Sequence, residues 1–559
     1  MTLEQQHGRV AVRLVGNSVQ VRFRYDSDLV ARIREVPGRR WDGETKVWTV
    51  PKPQWRTFTK LFGNIEVELS SEDAEVLAEL EKPVKPIREV NGFTGTLYPF
   101  QAEAVGFLVT RQRCLLADEM GLGKTISTIA AAIELRSRDI TKHVLVFCPK
   151  TILPQWIGEI KRFTGEHATA IAGDRIQRGK ARDQAYGTFF AVTNYETVLN
   201  EAEKLAELKP DIVVLDEAQR IGTYDAKTTE RIKEYFEPNY RWALTGTPLE
   251  NALVELYSIF DWIDYDILGP WKQFKTHHLV YGGYRGKQVV GHKDLPALHE
   301  QIRNYMLRRH KREVLADLPS VTSNNYYVFL SKVERETYNI IRKDLEKYYR
   351  LFRASRGETG SGEVLARLTY LRECCDHQKL VSDKDESSKL DELLEIIEEL
   401  GDDKTVIFTE YEQMLHLIAE KLQIGHAELF GAMDQQQRIQ SISAFNDDPD
   451  CRIFLSTEAG GLGVNLQVAS VLVNFELHWN PARLQQRIGR LHRIGQKSTV
   501  TCINLVARDT VEEKVLEVIN DKSDLFRNVV DGDFSSIDHE RAVWKILDAE
   551  FKDSRRGEA

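Results

Sequence analysis

Six short apolar segments, in two groups of three, constrain the fold of this chain more than any other feature of its sequence. Each is four or five residues long, helical stretches separate them, and they occupy residues 144–147, 189–192, 212–215, 405–408, 451–455 and 471–475. Short buried strands that alternate with helices form parallel sheets covered on both faces. The sequence therefore predicts an α/β protein with two parallel-sheet halves.

The remaining segments predict further domains around these two halves. Residues 9–23 alternate apolar and polar side chains, and two more short strands flank Gly43, so two β-hairpins and a short helix indicate a small α+β module. Residues 270–385 lose the strand–helix rhythm and look helical. The predicted boundaries are 1–72 for the module, 73–92 for a linker, 93–268 for the first half, 269–385 for a helical insertion, 386–520 for the second half and 521–559 for a C-terminal helical tail.

A glycine-rich turn at residues 117–125 is expected to bind the phosphates of a nucleotide. Gly121 and Gly123 allow a tight bend and a close approach of the backbone, whose free N–H groups at a helix start attract anions. Lys124 can reach the β- and γ-phosphates, and the hydroxyl of Thr125 can bind Mg²⁺. Asp118 stands where the strict form of this signature has glycine, and an ordinary strand–turn–helix is the alternative interpretation.

Two carboxylates follow the strand at residues 212–215, which places them at the sheet edge where ligands bind. Asp216 is predicted to hold Mg²⁺, and Glu217 is predicted to orient or deprotonate the attacking water. A helix N-cap is the alternative role for such a pair. Another strand ends in small hydroxyl residues at 245–248, which are predicted to couple the nucleotide to the second half or, alternatively, to form a plain turn.

The segment at residues 484–496 is rich in arginine. Arg490 and Arg493 are three residues apart and share one face if the segment is helical. A guanidinium stabilises the charge that spreads over a γ-phosphate in the transition state, so both are predicted to act on the nucleotide. A solvated basic helix is the alternative, and Gly489 and Gly495 weigh against it because glycine destabilises a purely structural helix.

Composition and charge argue against a membrane protein and against a chain that is basic along its whole length and coats nucleic acid. The net charge is −9, and no apolar segment approaches the length of a membrane span. The six cysteines have neither disulfide nor metal-ligand spacing and the first residues lack a secretion signal, so a reducing, cytoplasmic location is expected. The first 70 residues carry twelve Lys or Arg against eight Asp or Glu, which indicates a basic module before an acidic remainder.

Together and in their order, these motifs resemble a Swi/Snf-type helicase-like ATPase of helicase superfamily two. The resemblance covers about residues 93–520, and Asp118 is the residue that this family has in its phosphate loop. Further matching segments are 97–101, 244–251, 307–312, 456–466, 479–481 and 485–496. The resemblance implies two RecA-like lobes, ATP and Mg²⁺ as cofactors, a contact of Gln101 with adenine, and further nucleotide contacts from Gly461 and Gly463.

The resemblance also implies ATP-driven movement along duplex DNA without obligatory strand separation. Two lobes that close on ATP and reopen after hydrolysis would each hold DNA phosphates, and such contacts are independent of base sequence. The candidate contacts lie at strand ends and in the matching loops; they are Lys150, Asn194, Tyr195, Thr409, Ser456, Thr457 and Trp479.

Residues 39–48 resemble the core of a HARP-type domain, which precedes the motor in annealing helicases. Arg39, Arg40 and Lys46 are predicted to meet DNA. Trp41 and Trp48 either stack on exposed bases or pack the core of a small domain. A replication-protein-binding motif, a zinc finger and a nuclease domain are not evident, so a minimal bacterial or phage form is expected, with a nuclear location only in a eukaryote.

The expected function is ATP-dependent translocation on double-stranded or forked DNA, with remodelling or reannealing of that DNA in replication, repair or recombination. Two alternatives stay open: removal of proteins or RNA polymerase from DNA by the same motor, and a non-catalytic DNA-binding scaffold. The expected partners are double-stranded or branched DNA and a single-strand-binding or replication protein. The protein is expected to be a monomer without membrane association.

Overall fold

A computed structural model of the chain describes residues 10–15, 18–63, 65, 67–79, 84–222, 226–246, 253–282, 288–315, 318–354, 361–458, 464–478 and 480–526. Three sheets of five or more strands organise these residues, one in an N-terminal module and one in each of two lobes. The prediction of two parallel-sheet lobes preceded by a small α+β module is confirmed. None of the described helices is long and apolar enough to span a membrane.

The N-terminal module is a five-stranded sheet that packs against three helices. Its strands are β1 (Val10–Val15), β2 (Ser18–Arg22), β3 (Arg40–Asp42), β4 (Val47–Pro51) and β5 (Val67–Glu68), in the order β3-β4-β2-β1-β5. Its helices are α1 (Ser27–Glu35), α2 (Trp55–Phe62) and α3 (Ser71–Glu79). Both predicted hairpins are confirmed, because β1 pairs with β2 and β3 pairs with β4 in antiparallel fashion.

The described residues of the segment predicted as a linker, 73–79 and 84–92, contact both of its neighbours. Asp73 in α3 accepts a hydrogen bond from the backbone N–H of Leu14 in the module at 3.1 Å. Farther along, the N–H of Ile87 donates to the carbonyl of Ala102 in lobe 1 at 2.9 Å. The segment therefore joins the two bodies through specific contacts, which its charged and proline-containing sequence does not reveal.

The module is also held against lobe 1 by buried polar contacts. The side-chain amide of Gln54 donates to the carbonyl of Asp266 at 2.9 Å, and the N–H of Gly38 donates to Gln273 Oε1 at 3.2 Å. Gln54 is only 1% exposed, so this interface excludes water around it. The module is thus a fixed extension of lobe 1 in this structure.

Lobe 1 is built on a parallel sheet whose first six strands are β6 (Arg113–Leu116), β7 (Val144–Cys148), β8 (Thr169–Ile171), β9 (Phe190–Asn194), β10 (Ile212–Asp216) and β11 (Tyr240–Leu244). A separate antiparallel hairpin follows, formed by β12 (Leu279–Gly282) and β13 (Gln288–His292). The short strand β14 (Met306–Leu307) then completes the sheet, in the order β14-β6-β11-β10-β7-β9-β8.

Helices cover both faces of this sheet. They are α4 (Pro99–Arg111), α5 (Lys124–Ser137), α6 (Leu153–Thr164), α7 (Arg175–Ala185), α8 (Tyr195–Ala206), α9 (Lys227–Tyr235), α10 (Leu253–Ile263), α11 (Tyr265–Leu268), α12 (Trp271–His278), α13 (Leu295–Ile302) and α14 (Lys311–Val314). Successive side chains of a strand point to opposite faces, so Leu145 and Phe147 enter one apolar core and Val144 and Val146 enter the other.

Lobe 2 contains a six-stranded parallel sheet. Its strands are β15 (Val321–Val328), β16 (Thr405–Thr409), β17 (Gly425–Leu429), β18 (Cys451–Thr457), β19 (Val471–Asn474) and β20 (Val500–Ala507), in the order β15-β20-β19-β16-β18-β17. Its helices are α15 (Lys332–Ala354), α16 (Ser361–Asp376), α17 (Ser388–Glu399), α18 (Glu412–Lys421), α19 (Gln435–Asp447), α20 (Pro481–Leu491) and α21 (Val511–Phe526).

The segment predicted as a helical insertion, residues 269–385, is only partly helical. It contains α15 and α16, but it also supplies β14 to the sheet of lobe 1 and β15 to the sheet of lobe 2. Six of the eight residues of β15 are exposed, because β15 is an edge strand. Such a strand lacks the apolar pattern from which the other strands were predicted.

A buried ion network joins the helices of lobe 2 to the ends of its strands. The ammonium of Lys389 lies 2.8 Å from Asp376 and 2.6 Å from Glu512. Nearby, Arg372 contacts Glu410 at 3.0 Å. Removing one partner of a buried ion pair is strongly destabilising because the other charge remains buried. The network therefore fixes α16, α17 and α21 relative to the strand end that carries Glu410.

Glu476 is a buried acid of this region and lies two residues after the end of β19. Its carboxylate accepts the hydroxyl of Thr409 at 2.8 Å and the N–H of Glu410 at 3.0 Å. Burial raises the pKa of Glu476. The charge of Lys389 opposes this shift, and the charge of Glu410 adds to it. The folded protein thus favours the protonated form of this side chain more than water does.

Candidate active site

The phosphate loop lies between β6 and α5, and its glycines adopt backbone conformations that other residues rarely take. Gly121 and Gly123 have φ angles of 86° and 79°, in the left-handed region. A Cβ atom added at position 123 would lie 2.5 Å from Nε2 of Gln101, so the Gln101 side chain would have to move. The structure therefore favours glycine at both predicted positions, and the loop brings its backbone to the start of α5.

Gln101, predicted to contact adenine, is hydrogen-bonded to the phosphate loop. Its Nε2 donates to the carbonyl of Leu122 at 3.2 Å, and its Oε1 accepts the N–H of Tyr98 at 3.1 Å. The side chain is buried, with 3% of its surface exposed. Gln101 thus joins the start of α4 to the phosphate loop, and its contact with adenine stays a prediction.

Lys124 is the first residue of α5 and folds back over its own loop. Its Nζ donates to the carbonyl of Asp118 at 2.7 Å. Burial lowers the pKa of Lys124, and the carboxylates of Glu217, Asp118 and Asp216 oppose that shift. A phosphate oxygen would compete with the carbonyl for this ammonium. Thr125 follows Lys124 in the first turn of α5 and is half-buried.

Asp118 is anchored by an arginine that the prediction did not single out. Arg309 donates from Nε to Oδ1 of Asp118 at 3.0 Å and from Nη2 to Oδ2 at 2.5 Å, a bidentate pair. The Nη1 of Arg309 donates to the carbonyl of Phe100 at 2.6 Å and to Glu103 at 3.0 Å. Asp118 is thus a structural anchor of the phosphate loop.

Asp216 lies at the carboxyl end of β10, as predicted. Its Oδ2 accepts the indole N–H of Trp156 at 2.7 Å, and its Oδ1 accepts the N–H of Glu217 at 2.9 Å. Burial raises the pKa of Asp216, and the nearby charge of Glu217 adds to the shift. A nearby cation would offset both effects, because an opposite charge favours the ionised carboxyl.

Glu217 is held by a short chain of side chains. Its backbone has a φ of 53°, which is strained for a residue with a Cβ. Its Oε2 accepts the amide of Gln219 at 2.8 Å, and Oε1 of Gln219 accepts the hydroxyl of Thr245 at 2.7 Å. Thr245 follows β11, so this chain links the predicted catalytic carboxylate to the segment predicted to couple the nucleotide to lobe 2.

The residues around Asp216 fit a magnesium ion that is bound together with a nucleotide. Each oxygen of Asp216 accepts one hydrogen bond and keeps lone-pair capacity, and Thr125 is the second predicted ligand. Mg²⁺ is usually held by one or two carboxylates and completed by phosphate oxygens and water. Within the described part of the chain, no group of three or more His, Cys, Asp or Glu could hold a metal ion. Bound there, the ion would neutralise charge on the phosphates.

The two predicted arginines of lobe 2 reach the phosphate loop of lobe 1. They lie on and just after α20, which is capped by the side chain of Asn480 and begins with Pro481. A Cβ on Gly121 would lie 3.1 Å from Cγ of Arg493. Burial lowers the pKa of Arg490 to about 10, while the carboxylate of Glu217 opposes the shift most strongly. The structure therefore brings both arginines to the predicted site.

Arg487, on the same helix, has a different environment. It donates from Nε to Glu458 at 2.6 Å and from Nη1 to Asn474 at 2.8 Å and to the carbonyl of Glu476 at 3.0 Å. Arg487 is 1% exposed. It thus fixes α20 to the sheet of lobe 2.

Two basic residues at the edge of the site were missed as individual site residues. Arg308 donates to the carbonyl of Ala117 at 2.6 Å and to that of Gly246 at 2.8 Å, and so connects the phosphate loop to the residue after Thr245. Lys311 donates to the carbonyl of His492 in lobe 2. The signal in the sequence was the basic run at 308–312, which gives no indication of these partners.

The exposed residues among the predicted DNA contacts lie mainly in the module. Arg40, Lys46 and Lys150 are exposed, and Arg39 is half-buried. Trp41 is 51% exposed, so the interpretation that it packs the core is wrong. The ring of Trp48 lies 4.9 Å from that of Trp41 and is partly buried against the core of the module. Trp41 therefore presents its ring to solvent on β3, and the exposed Lys46 lies in the turn that leads to β4.

Two predicted DNA contacts at the end of β9 are buried. Asn194 is the N-cap of α8, where its Oδ1 accepts the N–H of Thr197 at 2.9 Å. The hydroxyl of Tyr195 donates to the carbonyl of Asp216 at 2.8 Å. Both side chains are occupied within lobe 1, and they do not form a DNA surface in this structure.

Three predicted DNA contacts in lobe 2 are buried as well. Thr409 donates to Glu476 at 2.8 Å, and Ser456 donates to the carbonyl of Thr457 at 3.0 Å. Thr409 and Ser456 are fully buried and Thr457 is 4% exposed, because the last residues of inner strands pack into the sheet. The predicted contacts that lie outside the described residues are Gly461, Gly463 and Trp479.

Two known protein families match segments of this chain. Residues 100–380, half of the chain, match the SNF2-related domain. Residues 388–495 match the helicase conserved C-terminal domain. The first match covers the phosphate loop and Asp216, and the second covers Arg490 and Arg493.

Individual relatives match most of this chain. The ISWI chromatin-remodeling complex ATPase ISW1 of Saccharomyces cerevisiae is 31% identical over 79% of this chain and 41% of the relative. An uncharacterized ATP-dependent helicase of Mycoplasma genitalium is 30% identical over 77% of this chain and 42% of the relative. The chain thus spans less than half the length of these relatives. The solved Sulfolobus solfataricus SWI2/SNF2 ATPase core in complex with dsDNA is 26% identical and covers 85% of this chain and 98% of that chain, with a TM-score of 0.39.

Proposed function

Because this chain belongs to the SNF2-related domain family, we propose that it is a DNA-dependent ATPase that moves along double-stranded or forked DNA. One observation carries the proposal: Arg493 of lobe 2 lies against Gly121 in the phosphate loop of lobe 1. Each lobe thus contributes one half of a nucleotide site.

The chemistry of the residues supports ATP hydrolysis at this junction. Lys124 and the loop N–H groups bind the phosphates, Asp216 and Thr125 hold Mg²⁺, and Glu217 orients the attacking water. Arg490 and Arg493 stabilise the charge on the γ-phosphate in the transition state. Phosphoryl transfer depends mainly on positioning and on charge stabilisation, and all of these groups contribute to one or both.

The division of the site between two lobes supports conversion of hydrolysis into movement. A bound γ-phosphate attracts cations from both lobes, and its loss after hydrolysis removes that attraction. If each lobe also holds the DNA backbone, repeated closing and opening moves the protein along the duplex. Such contacts involve phosphates and so do not depend on base sequence.

The N-terminal module gives this motor its preference for branched DNA. Trp41 is exposed on β3, and Lys46 is exposed in the turn that leads to β4, an aromatic ring and a cation of the kinds that bind single-stranded bases and their phosphates. The module is fixed to lobe 1, so bases that bind to it are held at a constant position relative to the motor. We place the activity in the remodelling or reannealing of forked DNA during replication, repair or recombination, with a single-strand-binding or replication protein as a further partner.

The test is steady-state ATP hydrolysis without DNA and with single-stranded, duplex or forked DNA. Wild-type protein is expected to hydrolyse ATP faster with duplex and fastest with a fork. The Lys124→Ala variant is expected to lose most of this activity, whereas Lys142→Ala, a change at an exposed lysine of the same lobe, serves as the control. Wild-type rates that are identical with and without DNA would contradict the proposed motor.

Movement itself is tested by displacement of a third strand from a DNA triplex. The wild type with ATP is expected to release the third strand, and Lys124→Ala is expected to leave it bound. Reannealing is tested with a DNA bubble coated by a single-strand-binding protein, which the wild type is expected to close in the presence of ATP. ATP-dependent release of a protein block without closure of bubbles would favour removal of proteins from DNA.

A further inference from the structure

Lys311 links the two lobes directly beside the phosphate loop. Its ammonium donates to the carbonyl of His492, the residue that ends α20 in lobe 2. On the lobe 1 side, its backbone N–H donates to Oε2 of Glu119 at 2.9 Å, and its Nζ lies 3.8 Å from Oε1 of Glu119. Lys311 is 3% exposed, so the contact is shielded from water.

The position of this contact ties it to Arg493. A Cβ on Gly121 would lie 3.3 Å from Cε of Lys311 and 3.1 Å from Cγ of Arg493, so both side chains flank the same glycine. His492 immediately precedes Arg493 in the chain. A hydrogen bond to the carbonyl of His492 therefore restricts the backbone from which the Arg493 side chain projects.

A role in stability alone does not account for the environment of Lys311. Burial lowers the pKa of Lys311 to about 8, the carboxylate of Glu119 opposes that shift, and the charges of Arg493 and Lys124 add to it. Desolvation and repulsion from two other cations oppose the burial of this ammonium, so its attraction to Glu119 and its hydrogen bond to the carbonyl of His492 are the contacts that offset them. Its location at the lobe junction is the feature that distinguishes it.

We propose that Lys311 is a positioning residue that latches lobe 2 to lobe 1 through the carbonyl of His492 and so sets Arg493 against the phosphate loop. The inference rests on the proposed ATPase function. Loss of the latch leaves Lys124 and the loop intact for phosphate binding, but it lowers the fraction of molecules in which Arg493 is in place.

The first test compares the steady-state kinetics of Lys311→Met, which keeps the shape of the side chain without its charge, with those of Arg312→Ala. Arg312 is exposed and adjacent, so its replacement controls for changes to the basic run. With saturating DNA, Lys311→Met is expected to lower kcat by about 10²-fold with little change in KM for ATP, as for a misplaced catalytic group. A rise in KM at unchanged kcat would overturn the positioning role.

A double-mutant cycle with Arg493→Ala separates this role from general damage to the site. If Lys311 acts through Arg493, Lys311→Met in the Arg493→Ala background lowers kcat little further. If it lowers kcat by the same factor in both backgrounds, Lys311 acts independently of Arg493 and the proposal is wrong. Thermal unfolding is the folding control: a Tm close to that of the wild type shows that each variant is folded.

A second measurement does not depend on hydrolysis. Without nucleotide, small-angle scattering is expected to give a larger radius of gyration for Lys311→Met than for the wild type or Arg312→Ala, because the lobes separate more often. An unchanged radius would overturn the latch. A wild type that binds ATP but hydrolyses none would instead contradict the proposed function while leaving this comparison intact.

Discussion

The guanidinium of Arg309 donates two hydrogen bonds to the carboxylate of Asp118, at 3.0 and 2.5 Å, behind the phosphate loop. Asp118 stands where the strict form of the phosphate-loop signature has glycine. The pair explains the departure, because the aspartate ties the loop to the segment that follows β14. The carbonyl of Phe100 accepts a third hydrogen bond from Arg309 at 2.6 Å, so the start of α4 is held at the same point.

Replacement of Arg309 is expected to destabilise lobe 1. Arg309→Ala leaves the buried carboxylate of Asp118 without its partner, which typically costs about 3–5 kcal/mol. Arg309→Lys is expected to rescue only part of the loss, since an ammonium cannot reproduce the bidentate geometry. Urea unfolding measures the free energy, with Arg312→Ala as the control. A free energy of unfolding for Arg309→Ala equal to that of the control would contradict the anchoring role.

Replacement of Gln219 is expected to impair hydrolysis without preventing nucleotide binding. Gln219→Ala removes the hydrogen bonds that hold the carboxylate of Glu217 and link it to Thr245. A general base contributes about 10²–10⁴-fold, so partial loss of its orientation is expected to lower kcat by about 10-fold or more. Arg220→Ala changes an exposed neighbour and is the control. Equal kcat values for the two variants would show that Glu217 is positioned by its backbone alone.

Replacement of Trp41 is expected to weaken binding to forked and single-stranded DNA. Stacking of a base on an aromatic ring is worth about 1–3 kcal/mol, so Trp41→Ala is expected to raise Kd by about 5-fold to 150-fold. Stimulation of hydrolysis by plain duplex is expected to stay near the wild-type level. Fluorescence anisotropy measures the affinities. Tyr25→Ala replaces another exposed aromatic of the module, at 87% exposure, and is the control. Equal losses in both variants would contradict a specific stacking site.

The raised pKa of Glu476 predicts the sign of a pH effect on stability. Folding favours protonated Glu476. The contribution of this side chain to the free energy of unfolding is therefore fully present below its ordinary pKa of 4.5, and it is lost as the pH rises through the raised pKa of the folded state. In the Glu476→Gln variant this side chain is neutral at every pH. The free energy of unfolding of the variant is therefore expected to fall less than that of the wild type between about pH 5 and about pH 8. Urea unfolding at both pH values measures the difference.

The control for Glu476 is Glu420→Gln, which changes an exposed acid of the same lobe. This variant is expected to follow the wild type over the same pH range. If Glu476→Gln follows the wild type as closely as the control does, the folded protein does not favour protonated Glu476.

The sequence predicted those parts of the site that are encoded locally. The two glycines, Lys124 and Asp216 lie within short motifs whose spacing already implies a strand, a turn and a helix. The partner of Asp118 lies 191 residues away, and no local pattern indicates that pairing. Lys311 and His492 are likewise 181 residues apart. Contacts of this kind depend on the packing of the two lobes.

The burial of several predicted DNA contacts has a different cause. Asn194 and Thr409, two of the predicted DNA contacts, are the last residues of parallel strands. Position at a strand end does not determine whether a side chain points to solvent or into the sheet, and these two point inward. The edge strand β15 was missed for the converse reason, since its exposed residues carry no apolar pattern.

The central claim is that the two lobes form one catalytic site. The most direct measurement is single-turnover ATP hydrolysis by Arg490→Ala with saturating duplex DNA, beside Lys497→Ala, an exposed change after α20. Arginines in this role contribute about 10³–10⁵-fold, so Arg490→Ala is expected to lose activity on that scale while still binding ATP, and Lys497→Ala is expected to behave as the wild type. Hydrolysis by Arg490→Ala at the wild-type rate would contradict a site shared between the lobes.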